Sequence, residues 1–117
     1  MNNQGKLWEI EACNFLRKKR YKLVSTNYTC RFGEIDLIMK KGKYLCFIEV
    51  KQRDEKSIAT PAEFVGADKQ KKMIATAQFY LAANPTKLQP RFDVVEVYTS
   101  DNQLKSIKHL ENAFDLL

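Results

Sequence analysis

The chain has 117 residues, of which 44% are hydrophobic and 11% aromatic, and this composition predicts one domain over residues 1–117 with a hydrophobic core. It excludes a disordered chain, and the lack of a long apolar run or an apolar signal block predicts a cytoplasmic protein that does not enter the membrane. The formal net charge of +6 fits a polyanionic partner, most simply nucleic acid, and equally fits solvated basic helix faces.

Thiol and imidazole chemistry have little support in the sequence. Cys13, Cys30 and Cys46 are widely spaced and form no C-x-x-C pair, so neither a disulfide nor a zinc site is expected. The single histidine, His109, leaves no route to a His-rich metal site and is interpreted as an ordinary structural residue. Any catalysis is therefore expected to use carboxylates and lysines.

The first predicted element is an amphipathic helix over residues 3–19. Glu9 falls inside its apolar stripe, which is formed by Trp8, Ala12, Cys13, Phe15 and Leu16. Burying an ionised carboxylate is costly unless a partner compensates for its charge. We therefore predict either a functional role for Glu9 or an ion pair with Arg31 or Arg53.

The next part of the chain predicts three strands. The first covers residues 21–25, a loop covers residues 27–33, and the second strand covers residues 34–39. A turn at residues 40–43, with Gly42 available for a positive φ angle, connects it to the apolar third strand at residues 44–51.

The remainder of the chain predicts a second long helix between loops and strands. The polar composition of residues 54–59 indicates a mobile loop. The pattern Thr60-Pro61-Ala62-Glu63 that follows is typical of a helix start. The helix continues to residue 83 with an apolar stripe and ends at Asn84-Pro85; the stripe contains Met73, Ile74, Ala77, Tyr80 and Leu81. Strands at residues 91–98 and 104–110 and a short terminal helix complete an α/β chain.

Two charged residues at the end of the third strand form the first candidate site. Side chains alternate along a strand, so Glu49 and Lys51 share one face. If the turn pairs Lys40 with Lys43, Asp36 lies opposite Phe47 and Glu34 lies opposite Glu49, so that Asp36 shares the face with Glu49 and Lys51 and Glu34 joins them. The alternative is a solvated ion pair where the strand leaves the core.

This set of side chains has a specific chemical use. Mg²⁺ or Mn²⁺ takes hard oxygen ligands such as Asp36 and Glu49, with water and phosphate oxygens completing the shell. Lys51 could orient an attacking water and stabilise charge on the phosphate, and Glu9 could contact the metal or its water from the first helix.

The motifs also resemble a known family. Asp36 followed across a hairpin by Glu49-Val50-Lys51 resembles the core of the PD-(D/E)xK nuclease superfamily, which has the restriction endonuclease-like fold. Gly33-Glu34-Ile35 before Asp36 and Arg53 after Lys51 make the pattern more specific. The fuller pattern resembles the YraN-like family of predicted endonucleases over residues 5–97 and includes Gly5, Glu9, Ala12, Asn27-Tyr28, Lys69 and Arg91-Phe92-Asp93-Val94.

The resemblance implies a fold and a set of roles. It implies a mixed β-sheet flanked by α-helices, with Asp36, Glu49 and the Val50 carbonyl as metal ligands. Lys51 would be the catalytic lysine and Glu9 the acid from the first helix. Apart from the resemblance, Glu34 is a candidate additional acid, and it could equally be a strand-edge charge or the partner of an arginine. The layout is similar to that of archaeal Holliday junction resolvases, which makes branched recombination or repair intermediates candidate substrates.

Three further cations have two interpretations each. Arg31 and Arg53 could bind phosphate or neutralise the carboxylates, and Lys69 could reach phosphate or be a solvated helix lysine.

Arg91 and Asp93 are expected to support the sheet edge or to pair with a site acid, without a catalytic role.

The leading functional hypothesis is a Mg²⁺-dependent endonuclease acting on nucleic acid, with DNA preferred over RNA. Because one active site cuts one strand, a homodimer is predicted as well. The alternatives are a non-catalytic nucleic-acid-binding module with a nuclease-like fold and a structural accessory that recruits DNA-processing proteins.

Overall fold

The fold is a five-stranded sheet with a helix on each face, and the computed structural model describes residues 3–56 and 65–115. The elements in chain order are α1 (Asn3–Lys18), β1 (Lys22–Cys30), β2 (Gly33–Lys41), β3 (Tyr44–Asp54), α2 (Ala67–Ala83), β4 (Gln89–Ser100) and β5 (Gln103–Phe114). The strands lie in the order β1-β2-β3-β4-β5, with β3 and β4 parallel and the other neighbours antiparallel. This mixed sheet confirms the predicted α/β class and is compatible with a restriction endonuclease-like core.

The central strand β3 is covered on both faces. Cys46 and Ile48 pack in the cluster that includes Trp8 and Leu16 of α1, whereas Leu45 and Phe47 pack in the cluster that includes α2. The alternation of β3 therefore divides its side chains between two hydrophobic layers. Each fully buried side chain of this size contributes about 1.5–3 kcal/mol, which explains why β3 is a continuous apolar run.

The two helices confirm the predicted apolar stripes. In α1, Trp8, Ala12, Cys13 and Leu16 are buried and Phe15 packs against the same cluster. In α2, Met73 and Ala77 are buried, and Ile74, Tyr80 and Leu81 pack around them. The helix ends as predicted at Asn84, whose backbone N–H donates to the Tyr80 carbonyl at 2.8 Å. Neither described helix has the length and apolar character that a membrane span requires.

The β2–β3 hairpin corrects the predicted register. Lys41 pairs with Tyr44 and Ile38 pairs with Phe47, so the predicted pair of Lys40 with Lys43 is wrong. The predicted positions of Asp36 opposite Phe47 and of Glu34 opposite Glu49 are wrong for the same reason. Gly42 is the first central residue of a two-residue turn and has a φ of 56°, the position at which a II′-type turn takes glycine. The error is an even number of residues, so the prediction that Asp36 and Glu49 meet survives it.

All five strands are longer than predicted, and β1 and β5 extend furthest beyond their predicted C-terminal ends. β1 continues through residues 27–30, predicted as a loop, because Tyr28 pairs with Ile35 and Cys30 pairs with Gly33 across a tight turn. β5 continues to Phe114, where a short helix was predicted, because the Phe114 ring stacks on Phe92 of β4 with centroids 4.8 Å apart. Packing against a neighbouring strand overrides the weak local signals in both places. The helix start predicted at Thr60-Pro61 lies outside the described residues.

Candidate functional site

The site lies where β2 and β3 separate. Their backbone pairing ends at Leu37 and Ile48, and just beyond it the N–H of Val50 donates a 2.8 Å hydrogen bond to Oδ2 of Asp36. The Asp36 side chain thus accepts a hydrogen bond from a backbone N–H that would otherwise donate to a carbonyl of β2. In a strand the N–H and C=O of one residue face the same neighbouring strand, so we expect the Val50 carbonyl to face this opening too.

Three carboxylates meet at this opening. Glu9 from α1 and Glu34 and Asp36 from β2 have carboxylate oxygens that all lie within 4.8 Å of one another. Glu9 and Asp36 are partly buried, and Glu34 is exposed. Like charges at this separation repel one another, so a cation bound between the carboxylates would stabilise the cluster.

Asn27 holds two of these acids in place. Its Nδ2 donates to Oε1 of Glu9 at 2.8 Å and to Oε1 of Glu34 at 3.1 Å. The residue lies in β1 between the pairs Thr26–Leu37 and Tyr28–Ile35, which places it opposite Asp36. Its φ of 49° lies in the left-handed region, which asparagine tolerates better than most residues.

The alternative in which Glu9 pairs with Arg31 or Arg53 finds no support among the described residues, where the Glu9 carboxylate accepts from the neutral amide of Asn27. Sequence reasoning assigned Asn27 to a loop and gave it no role of its own. The available signal was its residue type: asparagine combines a short side chain with two N–H donors and a tolerance for positive φ. A neutral partner orients Glu9 without cancelling its charge, so the carboxylate stays available to a cation.

Glu49 approaches the same cluster from the α2 side of the sheet. It is only 9% exposed, and its carboxyl group lies close enough to Asp36 to raise the pKa of that residue. Nζ of Lys69 on α2 lies 2.9 Å from its Oε2 and forms an ion pair, and no described residue satisfies this buried oxygen with a hydrogen bond of good geometry. A buried carboxylate oxygen with a single, largely exposed lysine beside it has capacity for a further cationic ligand.

The crowding of acids changes the protonation of Asp36. Burial, the hydrogen bond with Glu49 and the charges of Glu49 and Glu9 raise the pKa of Asp36 to about 8, against the opposing effect of the Val50 N–H. Asp36 therefore retains a proton near neutral pH when no cation accompanies it. A bound cation would take the place of that proton.

Lys51 lies on the same strand face as Glu49, as predicted, and is half-buried beside Glu96 in the β3–β4 register. Within residues 3–56 and 65–115, no side chain forms a hydrogen bond or ion pair with it, in contrast to Lys69, Arg53 and Arg91. An unpaired, half-buried ammonium next to the carboxylates is available to a phosphate oxygen or to a water.

Two of the three predicted nucleic-acid contacts, Arg53 and Lys69, each pair with a carboxylate. Nε of Arg53 lies 2.8 Å from Oε2 of Glu96, a buried residue that also accepts a hydrogen bond from the Tyr98 hydroxyl at 3.2 Å. Lys69 is paired with Glu49, and this contact outweighs the effect of burial, so the pKa of Lys69 is raised. Arg31 is exposed in the β1–β2 turn, and its contact with phosphate stays a prediction.

Arg91 and Asp93 form a separate buried network on the α1 face of the sheet. Arg91 binds Asp93 through two hydrogen bonds of 2.9 and 2.8 Å and also donates to the Tyr21 hydroxyl at 2.7 Å. Nε2 of His109 lies 2.8 Å from the same carboxylate. These contacts agree with a structural role for both Arg91 and Asp93, and they do not join either residue to a site acid.

The donor set fits a hard divalent cation. Glu9, Glu34, Asp36 and Glu49 offer carboxylate oxygens, Val50 offers a carbonyl that faces the opening, and no thiol or imidazole belongs to the described cluster. Mg²⁺ and Mn²⁺ take such oxygen ligands, whereas zinc and copper favour sulfur and nitrogen.

Comparison with known proteins identifies relatives of the whole chain. The model of "Uncharacterised protein family UPF0102" matches residues 8–97. A UPF0102 protein of Caldanaerobacter subterraneus is 40% identical over 113 residues, which cover 94% of this chain and 93% of that protein. UPF0102 proteins of Clostridioides difficile and Nitrosomonas europaea are 40% and 39% identical and cover 97% of this chain and 100% and 94% of their own lengths.

Proposed function

We propose that this chain, which belongs to the uncharacterised protein family UPF0102, the YraN-like family that its motifs resemble, is a metal-dependent nuclease. The reaction is hydrolysis of nucleic-acid phosphodiester bonds, with DNA as the preferred substrate. The observation that carries the proposal is the meeting of Glu9, Glu34, Asp36 and Glu49 at one opening of the sheet in a chain of net charge +6. A basic protein that concentrates acids at one point is suited to hold a cation against a polyanion.

Asp36, Glu49 and the Val50 carbonyl would hold Mg²⁺ or Mn²⁺, and Glu9 and Glu34 would border it. Such a cation, when bound, supplies positive charge that polarises the phosphate and lowers the pKa of a coordinated water. The Val50 N–H fixes one oxygen of Asp36, so the other oxygen is left to face the opening. This hydrogen bond orients the carboxylate before any ligand arrives.

Lys51 would act on the phosphate and the attacking water. Its Nζ has no partner among the described side chains, so it can donate to a non-bridging phosphate oxygen or position the water for attack. Glu9, oriented by Asn27, can accept a proton from that water on the α1 side. When a cation binds the Glu49 carboxylate, Lys69 would leave Glu49 and contact a phosphate instead.

The experiment is a cleavage assay of the purified chain with Mg²⁺ or Mn²⁺ on duplex, single-stranded, flapped and four-way DNA, with matching RNA. Cutting that disappears in Asp36→Asn and Glu49→Gln, and persists in the surface control Glu55→Gln, supports the proposal. No cutting of any substrate by a folded protein that binds Mn²⁺ would overturn it.

A non-catalytic nucleic-acid-binding module is the second candidate. The Lys69–Glu49 ion pair favours it, because this contact neutralises a buried carboxylate without a metal. Calorimetric titration with Mn²⁺ separates the two. A nuclease site binds the metal through Asp36 and Glu49, and a binding module shows the same heat in the wild type as in Asp36→Asn.

Cutting both strands of a duplex or a junction requires two sites, so a homodimer in the cytoplasm is part of the proposal. Analytical ultracentrifugation with and without DNA tests it. A monomer under both conditions contradicts the dimer and leaves the nuclease proposal standing.

A further inference from the structure

Two aromatic rings lie side by side on the surface between the β1–β2 turn and α2. The Phe32 and Phe79 side chains are 41% and 42% exposed, and their ring centroids are 6.0 Å apart at an angle of 63°. Phe47 and Phe92, by contrast, are fully buried in the core. Two phenylalanine side chains on the surface lack the favourable free energy that burial would provide. This patch is therefore a candidate binding surface.

A planar cation completes the patch. The Arg31 guanidinium lies 4.9 Å from the centroid of the Phe32 ring, within cation–π range, and Arg31 is itself exposed. Residues 72–83, which contain Phe79, include no acidic side chain. The surface thus combines flat apolar faces with positive charge, which suits an aromatic base attached to a phosphate backbone.

The turn that carries Phe32 is held firmly against α2. The Cys30–Gly33 pair closes it, and the Phe32 N–H donates to Sγ of Cys30 at 3.4 Å. Gly33 has a φ of 151°, and a Cβ at this position would come within 3.2 Å of Oγ1 of Thr76. The positive φ angle and this close approach both favour glycine, and the turn packs directly against α2, which supports a preorganised aromatic pair.

A row of side chains links the pair to the carboxylate opening. Lys69, Lys72, Thr76 and Phe79 are spaced by three or four residues and therefore share one side of α2. Lys69 pairs with Glu49 of the opening, and Lys72 lies beside Gly33. At 1.5 Å per residue, Lys69 and Phe79 are about 15 Å apart along the helix, which is the length of roughly four stacked nucleotides.

We propose that Phe32 and Phe79 are the stacking platform for an unpaired base of the nucleic acid, with Arg31 and Lys72 contacting its phosphates. This inference rests on the proposed function and defines its substrate class: nucleic acid with a single-stranded segment next to the scissile bond, such as a flap or a branch. Bases in a continuous duplex are already stacked on their neighbours and do not offer a free face.

The test measures binding without divalent metal, so that it does not depend on cleavage. A flapped DNA with 2-aminopurine in the unpaired segment is titrated with the wild type and with Phe32→Leu/Phe79→Leu, which keeps apolar bulk and removes the ring faces. The double variant is expected to bind flapped DNA about 5- to 150-fold more weakly and to lose the change in 2-aminopurine fluorescence. Affinity for a fully paired duplex of the same length is expected to change less than twofold.

Three controls make the outcome specific. Leu104→Ala removes an exposed hydrophobic side chain on β5, far along the sheet order from the β1–β2 turn, and is expected to change nothing. Phe32→Trp/Phe79→Trp is expected to restore flap binding, because tryptophan offers a larger stacking face. Thermal unfolding confirms that each variant is folded, which the exposure of both rings leads us to expect.

Two results would overturn the inference. Equal loss of flap and duplex binding in the leucine variant means that the pair does not recognise an unpaired base. Unchanged DNA binding with a dimer that dissociates in ultracentrifugation means that the patch is a protein interface. Failure of the nuclease proposal looks different, because cleavage is then absent while the wild type still prefers flapped DNA over duplex.

Discussion

The backbone N–H of Val50 and the carboxylate of Asp36 are joined by a 2.8 Å hydrogen bond across the point where β2 and β3 separate. This contact places Asp36 beside Glu49 and within reach of Glu9 and Glu34. The carboxylate is oriented by the backbone and is simultaneously surrounded by other acids. This geometry prepares Asp36 to bind a cation. When no metal is bound, the same geometry makes the ionised form of Asp36 unfavourable.

Asp36→Asn is therefore expected to stabilise the metal-free protein at alkaline pH. The folded pKa of about 8 is above the ordinary value for aspartate, so the folded state binds the proton more tightly and stability falls as pH rises from about 4 to 8. Asparagine removes the charge and keeps an oxygen for the Val50 N–H. At about 1.4 kcal/mol per unit of pKa difference, we expect a gain of several kcal/mol at pH 9 and a much smaller gain at pH 5, measured by urea unfolding in EDTA. Destabilisation at both pH values would show that the carboxylate is structural.

The metal centre itself is tested by thermal stability and calorimetry. At a Mn²⁺ concentration of about 100 times the Kd, the wild type should gain roughly 2.7 kcal/mol, because only the folded chain assembles the ligands. Glu49→Gln and Asp36→Asn should lose most of this gain. Glu55→Gln removes an exposed acid of the same type just beyond β3 and should keep it. Equal gains in all four proteins would mean nonspecific binding.

The sequence predicted the parts of this site that depend on local periodicity. Alternation along β3 is enough to put Glu49 and Lys51 on one face, and a register error of two residues did not prevent the prediction that Asp36 meets Glu49. The contribution of Asn27 could not be predicted, because it depends on where α1 packs and on a positive φ angle inside a strand. The pairing of Lys69 with Glu49 likewise depends on how α2 docks on the sheet, which no local pattern encodes.

Lys51→Ala should separate chemistry from metal binding. The variant keeps all the carboxylates and deletes an ammonium that has no partner among the described side chains, so Mn²⁺ affinity is expected to stay within about twofold. Cleavage is expected to fall about 10²- to 10⁴-fold, the range of a lost general acid–base group. Lys56→Ala, an exposed lysine just beyond β3, is the matched control. A parallel loss of cleavage in both variants would indicate a general effect of charge on DNA binding.

Asn27 allows a test of how the acids are held. Asn27→Gly keeps the positive φ angle and deletes the amide, so losing its two hydrogen bonds should destabilise the protein by about 1–2 kcal/mol and free Glu9 to move. Asn27→Asp replaces the donor by another carboxylate, and we expect a larger loss in EDTA that Mn²⁺ partly restores. Urea unfolding of both variants with and without Mn²⁺ measures this. Equal losses that do not respond to metal would place Asn27 outside the site.

The Arg91–Asp93 network predicts the acid sensitivity of the fold, independently of the metal. Burial alone would raise the pKa of Asp93, but hydrogen bonds from His109, Arg91 and the Asn112 N–H outweigh it, so the pKa lies below the ordinary value. The contribution of Asp93 to stability is therefore complete above about pH 4, the ordinary aspartate value, and is lost as the pH falls further toward the lowered folded pKa.

Asp93→Asn should remove this acid-dependent part of the unfolding free energy and leave Arg91 without its counter-charge, at a cost of about 3–5 kcal/mol at pH 7. Replacing both partners, as in Asp93→Asn/Arg91→Met, removes the uncompensated charge and should recover part of that loss. Urea unfolding between pH 3 and 7 measures all three proteins. A double variant less stable than Asp93→Asn would mean that Arg91 stabilises the fold mainly through its contact with the Tyr21 hydroxyl, and that Asp93 is the lesser partner.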